Sequence, residues 1–159
     1  MSRIVVITGL SGAGRSVAGG TLEDIGWFVI DNLPTGLVSK VGELASSAGG
    51  GYDQVALVMA GFSESLTEIE HLRNDAAVTV VFLEASTDVL VRRYELTRRR
   101  HPLADDGTTM VDAIEREREL LASTRAAADL VIDTTELNPH QLRDRFVGHF
   151  QDASTDESL

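Results

Sequence analysis

The chain contains no cysteine in 159 residues, which excludes disulfides, thiolate catalysis and Cys-type zinc sites together. Its four histidines (His71, His101, His140 and His149) are scattered without metal-ligand spacing. No apolar stretch approaches membrane-spanning length, and Met1-Ser2-Arg3 leads straight into an apolar run without a signal-peptide pattern. A cytoplasmic protein that makes no membrane contact is therefore expected. Positive charge is also scarce: 14 Lys and Arg stand against 25 Asp and Glu, a net charge of −11. That balance disfavours general nucleic-acid binding, so any anion site must be local.

What is present is ordinary for a soluble domain, with 43% hydrophobic and 25% charged residues. The length suits one domain with a substantial core. Apolar runs alternate with amphipathic stretches, the pattern of βαβ units. Strands are expected at Ile4–Thr8, Trp27–Ile30, Val55–Met59, Val78–Leu83 and Leu130–Asp133. Helices are expected over about 15–25, 37–48, 64–74, 87–99 and 109–121, with a last one starting at Asn138-Pro139. Gly19-Gly20 inside the first helix should cost about 1 kcal/mol each relative to Ala. Leu142, Phe146 and Phe150 recur at i, i+4, i+8 as one buried stripe. With Gly9, Gly14, Arg15 and Ser16 in phosphate-loop spacing directly after the first strand, the expected architecture is an α/β fold of the P-loop NTPase type, a mostly parallel five-stranded sheet with helices on both faces, over residues 1–150. Residues 151–159 are polar and acidic and read as a disordered tail.

The strongest motif follows the first strand: Gly9-Leu10-Ser11-Gly12-Ala13-Gly14-Arg15-Ser16. This is the spacing of a phosphate-binding loop, with Arg15 where Lys is usual. Glycines at 9, 12 and 14 let successive N–H groups turn inward, and the helix start beyond Gly14 adds unpaired N–H groups and a positive dipole end. Ser16 would offer its hydroxyl to Mg²⁺, and Arg15 its charge to the β/γ oxygens of ATP or GTP. Arg is a planar fork rather than a point charge, so binding is expected to survive the exchange better than turnover.

In open α/β sheets ligands bind beyond the carboxyl ends of the strands, which draws attention to Asp31, Glu84 and Asp133. Asp31, read as following the second strand immediately, either holds Mg²⁺ through its water or accepts a proton from an attacking group, or else turns the chain into Asn32-Leu33-Pro34. Glu84 and Asp133 read as capping or turn carboxylates. A second constellation, Arg92 to Leu103, carries five arginines in nine residues. On a helix Arg92, Arg99 and, less closely, Arg100 share a face, either as an arginine-bearing lid over a phosphoryl group or as a solvated face paired with Asp88 and Glu95.

The loop, Leu22-Glu23-Asp24, Asp31-Asn32-Leu33-Pro34, Phe82 to Ser86, Leu90 to Tyr94, Arg98 to Leu103 and Ala128 to Thr134 occur in an order that resembles the N-terminal domain of the RapZ/YvcJ family of nucleotide-binding proteins. The match covers residues 3 to 150. The resemblance implies ATP and GTP binding, slow Mg²⁺-dependent hydrolysis and a regulatory role, in some members as an adaptor that delivers small RNAs to a ribonuclease in control of amino-sugar synthesis. Family members usually carry Lys at the Arg15 position, where Arg is tolerable, and an Asp-Val-Arg segment where Met59-Ala60-Gly61-Phe62 stands, so no GTP contact is assigned there. They are nearly twice as long, and the resemblance places RNA binding and sugar-phosphate sensing in a C-terminal domain absent from this chain. Two other readings stay open: a small-molecule kinase with Asp31 as base, and an RNA-binding adaptor built on the arginine cluster. Base preference, phosphoryl acceptor and homo-oligomerisation are likewise open.

Overall fold

The strand β1 (Arg3–Gly9) organises the fold, because its apolar run is buried on both faces and its side chains alternate between two cores. Val5 and Ile7 join one cluster, Ile4 and Val6 the other. The structure, a computed structural model, describes residues 3–46, 53–59, 66–97, 101, 103 and 107–151. β2 (Phe28–Leu33), β3 (Gln54–Met59), β4 (Ala77–Glu84) and β5 (Leu130–Asp133) complete a five-stranded sheet in the order β2-β3-β1-β4-β5. Every pairing is parallel. The chain winds toward β2 on one side of β1 and toward β5 on the other, so the carboxyl end of β1 lies at a topological switch point.

Helices α1 (Arg15–Asp24), α4 (Thr87–Thr97), α5 (Met110–Leu120) and α7 (Pro139–Phe150) supply Ala18, Leu22, Leu90, Ile114, Leu142, Phe146 and Phe150 to the larger core. Val38 and Val41 of α2 (Val38–Ser46), with Ile69 and Leu72 of α3 (Leu66–Asp75), close the smaller one. The last helix follows its sequence signals closely. Asn138 caps it by accepting from Gln141 N–H, and Gln141 returns the bond in a capping box with Pro139 in the first turn.

Three local expectations are corrected. Asp31 lies inside β2 rather than after it, because the strand continues through a register irregularity to Leu33 and ends at Pro34, which has no N–H to donate. The chain does not leave helical structure at Leu121: Arg125 N–H bonds Leu121 O at 2.9 Å, and a short helix α6 (Ala122–Ala127) follows. Only Thr124 of that helix is buried, so it has no apolar period to announce it. Gly19 is not a defect in α1, since a Cβ there would stand 2.9 Å from Val58 Cγ2 on β3, and the missing side chain lets the helix approach the sheet. Gly20, by contrast, faces open space. Gly20→Ala is therefore expected to gain about 0.5–1 kcal/mol in urea denaturation, while Gly19→Ala gains nothing or loses. A stabilising Gly19→Ala would mean that α1 sits farther from β3.

Candidate functional site

The loop leaves β1 under tight constraint. Gly9 has φ +138°, and a Cβ there would lie 2.3 Å from Leu83 O. Leu10 N–H donates to that same carbonyl at 3.0 Å, and the Leu10 and Ala13 side chains are buried in the larger core. The loop is thus nailed to β4 at its base. Gly12 (φ +86°) and Gly14 (φ +115°, the N-cap of α1) occupy the left-handed region, where a side chain costs strain. Ala13 N–H closes a turn on Leu10 O. At the start of α1 the first-turn N–H groups have no intrahelical acceptor, which makes this end receptive to an anion.

Two side chains hold the carbonyl edge of the loop. Arg93, from the inward side of α4, donates through Nη1 to Gly12 O and Thr134 Oγ1, both at 3.1 Å, and through Nη2 to Thr134 O at 2.6 Å. Thr134 Oγ1 in turn donates to Ala13 O at 2.8 Å. Burial pulls the Arg93 pKa below its ordinary value, with the charge of Asp133 opposing the shift. A guanidinium so shifted is still charged at neutral pH. Asp133 is held below the usual carboxylate range, first by hydrogen bonds from Thr135 and then by the charges of Arg118 and Arg93.

Above the loop opens a cleft of about 440 Å³ whose floor is Gly12 to Ser16. Tyr94 and Thr97 of α4 form one wall, Leu137 and Pro139 the other. Ser16 is exposed at the start of α1 on this floor. Arg15 Nη1 donates to Met59 O, at the carboxyl end of β3, at 2.8 Å. Among the described residues no group of three His, Cys, Asp or Glu is placed to hold a metal. A Mg²⁺ ion held by the exposed Ser16 hydroxyl would have to take most of its ligands from phosphate oxygens and water.

The sequence-predicted residues are thus distributed unevenly. Gly12, Ala13, Gly14, Arg15 and Ser16 line the cleft, whereas Gly9, Leu10 and Ser11 form the loop's rear attachment. Asp31 is exposed on the edge strand β2, outside the cleft lining, near the register level at which Arg15 meets Met59. Arg99 and Arg100 lie outside the described residues. Arg92 is exposed, and its neighbour Arg93 is the arginine turned to the loop. Glu84 is committed to ion pairs with Arg118 at 2.9 Å and Arg125 at 3.0 Å.

Sequence reasoning placed Arg93 in the arginine cluster without singling it out, and gave Thr134, Glu117 and His101 no role in the site. Glu117 is fully buried on α5, accepting from Ser11 N–H (2.9 Å) and Ser11 Oγ (2.7 Å), with His101 Nε2 at 3.1 Å. A signal for it existed: within a charged run it keeps the helical phase of Ala113, Ile114 and Leu121, all buried.

Comparison with known proteins agrees with this geometry. The RapZ-like N-terminal domain matches residues 2–154. The chain belongs to that family. A nucleotide-binding protein of Acidothermus cellulolyticus is 50% identical over 156 residues, covering 94% of this chain and 50% of the relative. One of Thermotoga petrophila is 46% identical over 154 residues, covering 94% of this chain and 54% of the relative. The chain therefore spans about half the length of the curated relatives it matches. Among solved structures, shikimate kinase from Bacteroides thetaiotaomicron aligns with TM-score 0.63 at 20% identity, over 97% of this chain and 98% of that one. A gluconokinase from Sinorhizobium meliloti aligns with TM-score 0.62 at 17% identity, over 98% and 97%. These likenesses establish the P-loop α/β fold for this RapZ-like domain. No helix among the described residues is long and apolar enough to cross a membrane.

Proposed function

We propose that this domain binds a nucleoside triphosphate, ATP or GTP, together with Mg²⁺, hydrolyses it slowly, and serves regulation in the cytoplasm as part of a longer protein. The observation that carries this reading is the loop itself. Its glycines at 12 and 14 hold left-handed φ, its carbonyls at 12 and 13 are engaged by Arg93 and Thr134, and its other edge floors a cleft beside the start of α1. Phosphates fit that floor, and the half-apolar walls of Tyr94, Leu137 and Pro139 suit a nucleoside. Mg²⁺ at Ser16 would neutralise charge on the phosphates. Arg15 would add its charge there on leaving Met59 O, and Asp31, at the far edge, is the candidate to orient a water or hydroxyl. The relatives from Acidothermus cellulolyticus and Thermotoga petrophila, named as nucleotide-binding proteins, support the ligand class. RNA recognition, which the family resemblance implies for a C-terminal domain, is not proposed for this chain.

Arg15 gives a direct test of the chemistry. Its fork is poorly matched to a point-charge role, so Arg15→Lys should raise kcat severalfold while changing nucleotide affinity less, and Arg15→Ala should weaken both. Equal turnover with Arg and Lys would show that this position sets no catalytic geometry.

The shikimate kinase and gluconokinase likenesses concern the fold, yet they make phosphoryl transfer the rival to exclude. Acceptor-independent, slow phosphate release is the expected behaviour. Screening amino sugars, sugar acids and nucleoside monophosphates by mass spectrometry should reveal no phosphorylated product, and one robust product would favour a kinase with Asp31 as its base.

A further inference from the structure

Glu117 makes three polar contacts in a fully buried position, and none of them is with the cleft. Ser11 N–H and Ser11 Oγ meet its two carboxyl oxygens at 2.9 and 2.7 Å, and His101 Nε2 lies 3.1 Å from Oε1. Neither the Glu117 nor the His101 side chain has any solvent exposure. Leu103 N–H donates to His101 Nδ1 at 3.0 Å, so that nitrogen carries the lone pair and Nε2 the proton it gives to Glu117. One carboxyl group thereby ties α5 to Ser11 of the phosphate loop and to His101, which are 106 and 16 residues away from Glu117 in sequence.

We propose that Glu117 is a positioning residue for nucleotide binding, with His101 fixing its orientation. The inference rests on the reading of the loop as a nucleotide site. A flexible loop of small residues has many ways to place its amides, and only those with the Gly12 to Ser16 edge turned to the cleft bind phosphate well. Glu117 removes one alternative by taking the Ser11 N–H to the rear. Arg93 and Thr134, which line the cleft, fix the neighbouring carbonyls, so the loop is held on successive residues 11, 12 and 13. A preorganised site avoids ordering its donors at the moment of binding, which is where the affinity comes from. His101 acts through Glu117 and touches no ligand. Its ring also packs on Tyr94, a wall of the cleft, at 5.4 Å between centroids.

The test separates bracing from core filling by pairing an apolar replacement with a polar one of the same shape. Glu117→Leu fills the site with an apolar side chain of similar size and removes every acceptor, whereas Glu117→Gln retains a carbonyl for Ser11 N–H and His101 and an amide to meet Ser11 Oγ. Titrated with Mg-ATP, Glu117→Leu should bind at least tenfold more weakly than the unsubstituted protein, and Glu117→Gln within about threefold of it. In the unsubstituted protein, amide exchange and nitrogen–proton spectra should show the Ser11 N–H protected and little moved by Mg-ATP, while Gly12 to Ser16 amides shift. That second readout decides the matter if Glu117→Leu does not fold. A folded Glu117→Leu with unaltered affinity, or a Ser11 amide that shifts as far as its neighbours do, overturns the proposal. Absence of Mg-ATP binding by the unsubstituted protein would instead remove the nucleotide reading on which it rests.

Discussion

Gly14→Ala is expected to lower Mg-ATP affinity by at least a hundredfold while the domain stays folded. Gly14 sits at φ +115°, and a Cβ there would stand 2.6 Å from Leu142 Cδ2, a buried side chain of α7. The added methyl group must displace the end of the Leu142 side chain, and at this φ any side chain strains the backbone and drives the N-cap of α1 toward a right-handed conformation. That rotation moves the amides that floor the cleft. Backbone strain of this kind costs about 1–3 kcal/mol, less than the stability of about 5–15 kcal/mol typical of a domain. A hundredfold affinity loss corresponds to about 2.7 kcal/mol. Gly20→Ala is the control, since a Cβ at that position meets nothing within 4 Å. Its affinity should match that of the unsubstituted protein. A folded Gly14→Ala protein with unchanged affinity would mean that phosphate does not approach this backbone.

Arg93→Leu should produce the second large effect, combining a stability loss of about 2–3 kcal/mol with at least tenfold weaker nucleotide binding. Three acceptors lose their donor at once: Gly12 O, Thr134 Oγ1 and Thr134 O. A hydrogen bond to a charged group is worth about 1.5–3 kcal/mol, and partial exposure of the site tempers the sum. Arg93→Lys restores the charge but cannot span Gly12 and Thr134 with one ammonium group, so it should recover stability better than affinity. Arg92→Leu, one residue away and exposed, should change stability by no more than about 0.5 kcal/mol. Urea melts and Mg-ATP titrations on the three variants measure this. Equal effects at 92 and 93 would contradict the assignment of Arg93 to the loop.

The difference between Arg92 and Arg93 shows where the sequence stopped being legible. An arginine cluster is visible in one dimension, but which member turns inward depends on the phase of α4 against the sheet. Buried Leu90 and Tyr94 set that phase and carry Arg93 toward β5. The loop, the five strands and the last helix were readable because each rests on local chemistry: glycine conformation, β-branched runs, a capping box. Leu130–Asp133 and Pro139–Phe150 have the bounds and starting point that these signals give. Thr134 and His101 were not readable as site residues, and the helical phase of Glu117 marks it as buried without naming its partner, since each takes its role from residues elsewhere in the chain. Ser11 likewise looks like another loop donor until Glu117 is seen behind it. Asp31 was placed one step too late because Asn32-Leu33-Pro34 reads as a break, whereas only Pro34 lacks the N–H that β2 needs.

The central claim is that the loop at residues 9–16 is a Mg²⁺-assisted nucleotide site, and calorimetric titration of the unsubstituted domain with ATP, with and without Mg²⁺, tests it most directly. The account predicts saturable one-to-one binding that strengthens with Mg²⁺ and is lost in Gly14→Ala. A folded domain that takes up no ATP or GTP at millimolar concentration with Mg²⁺ present would contradict it.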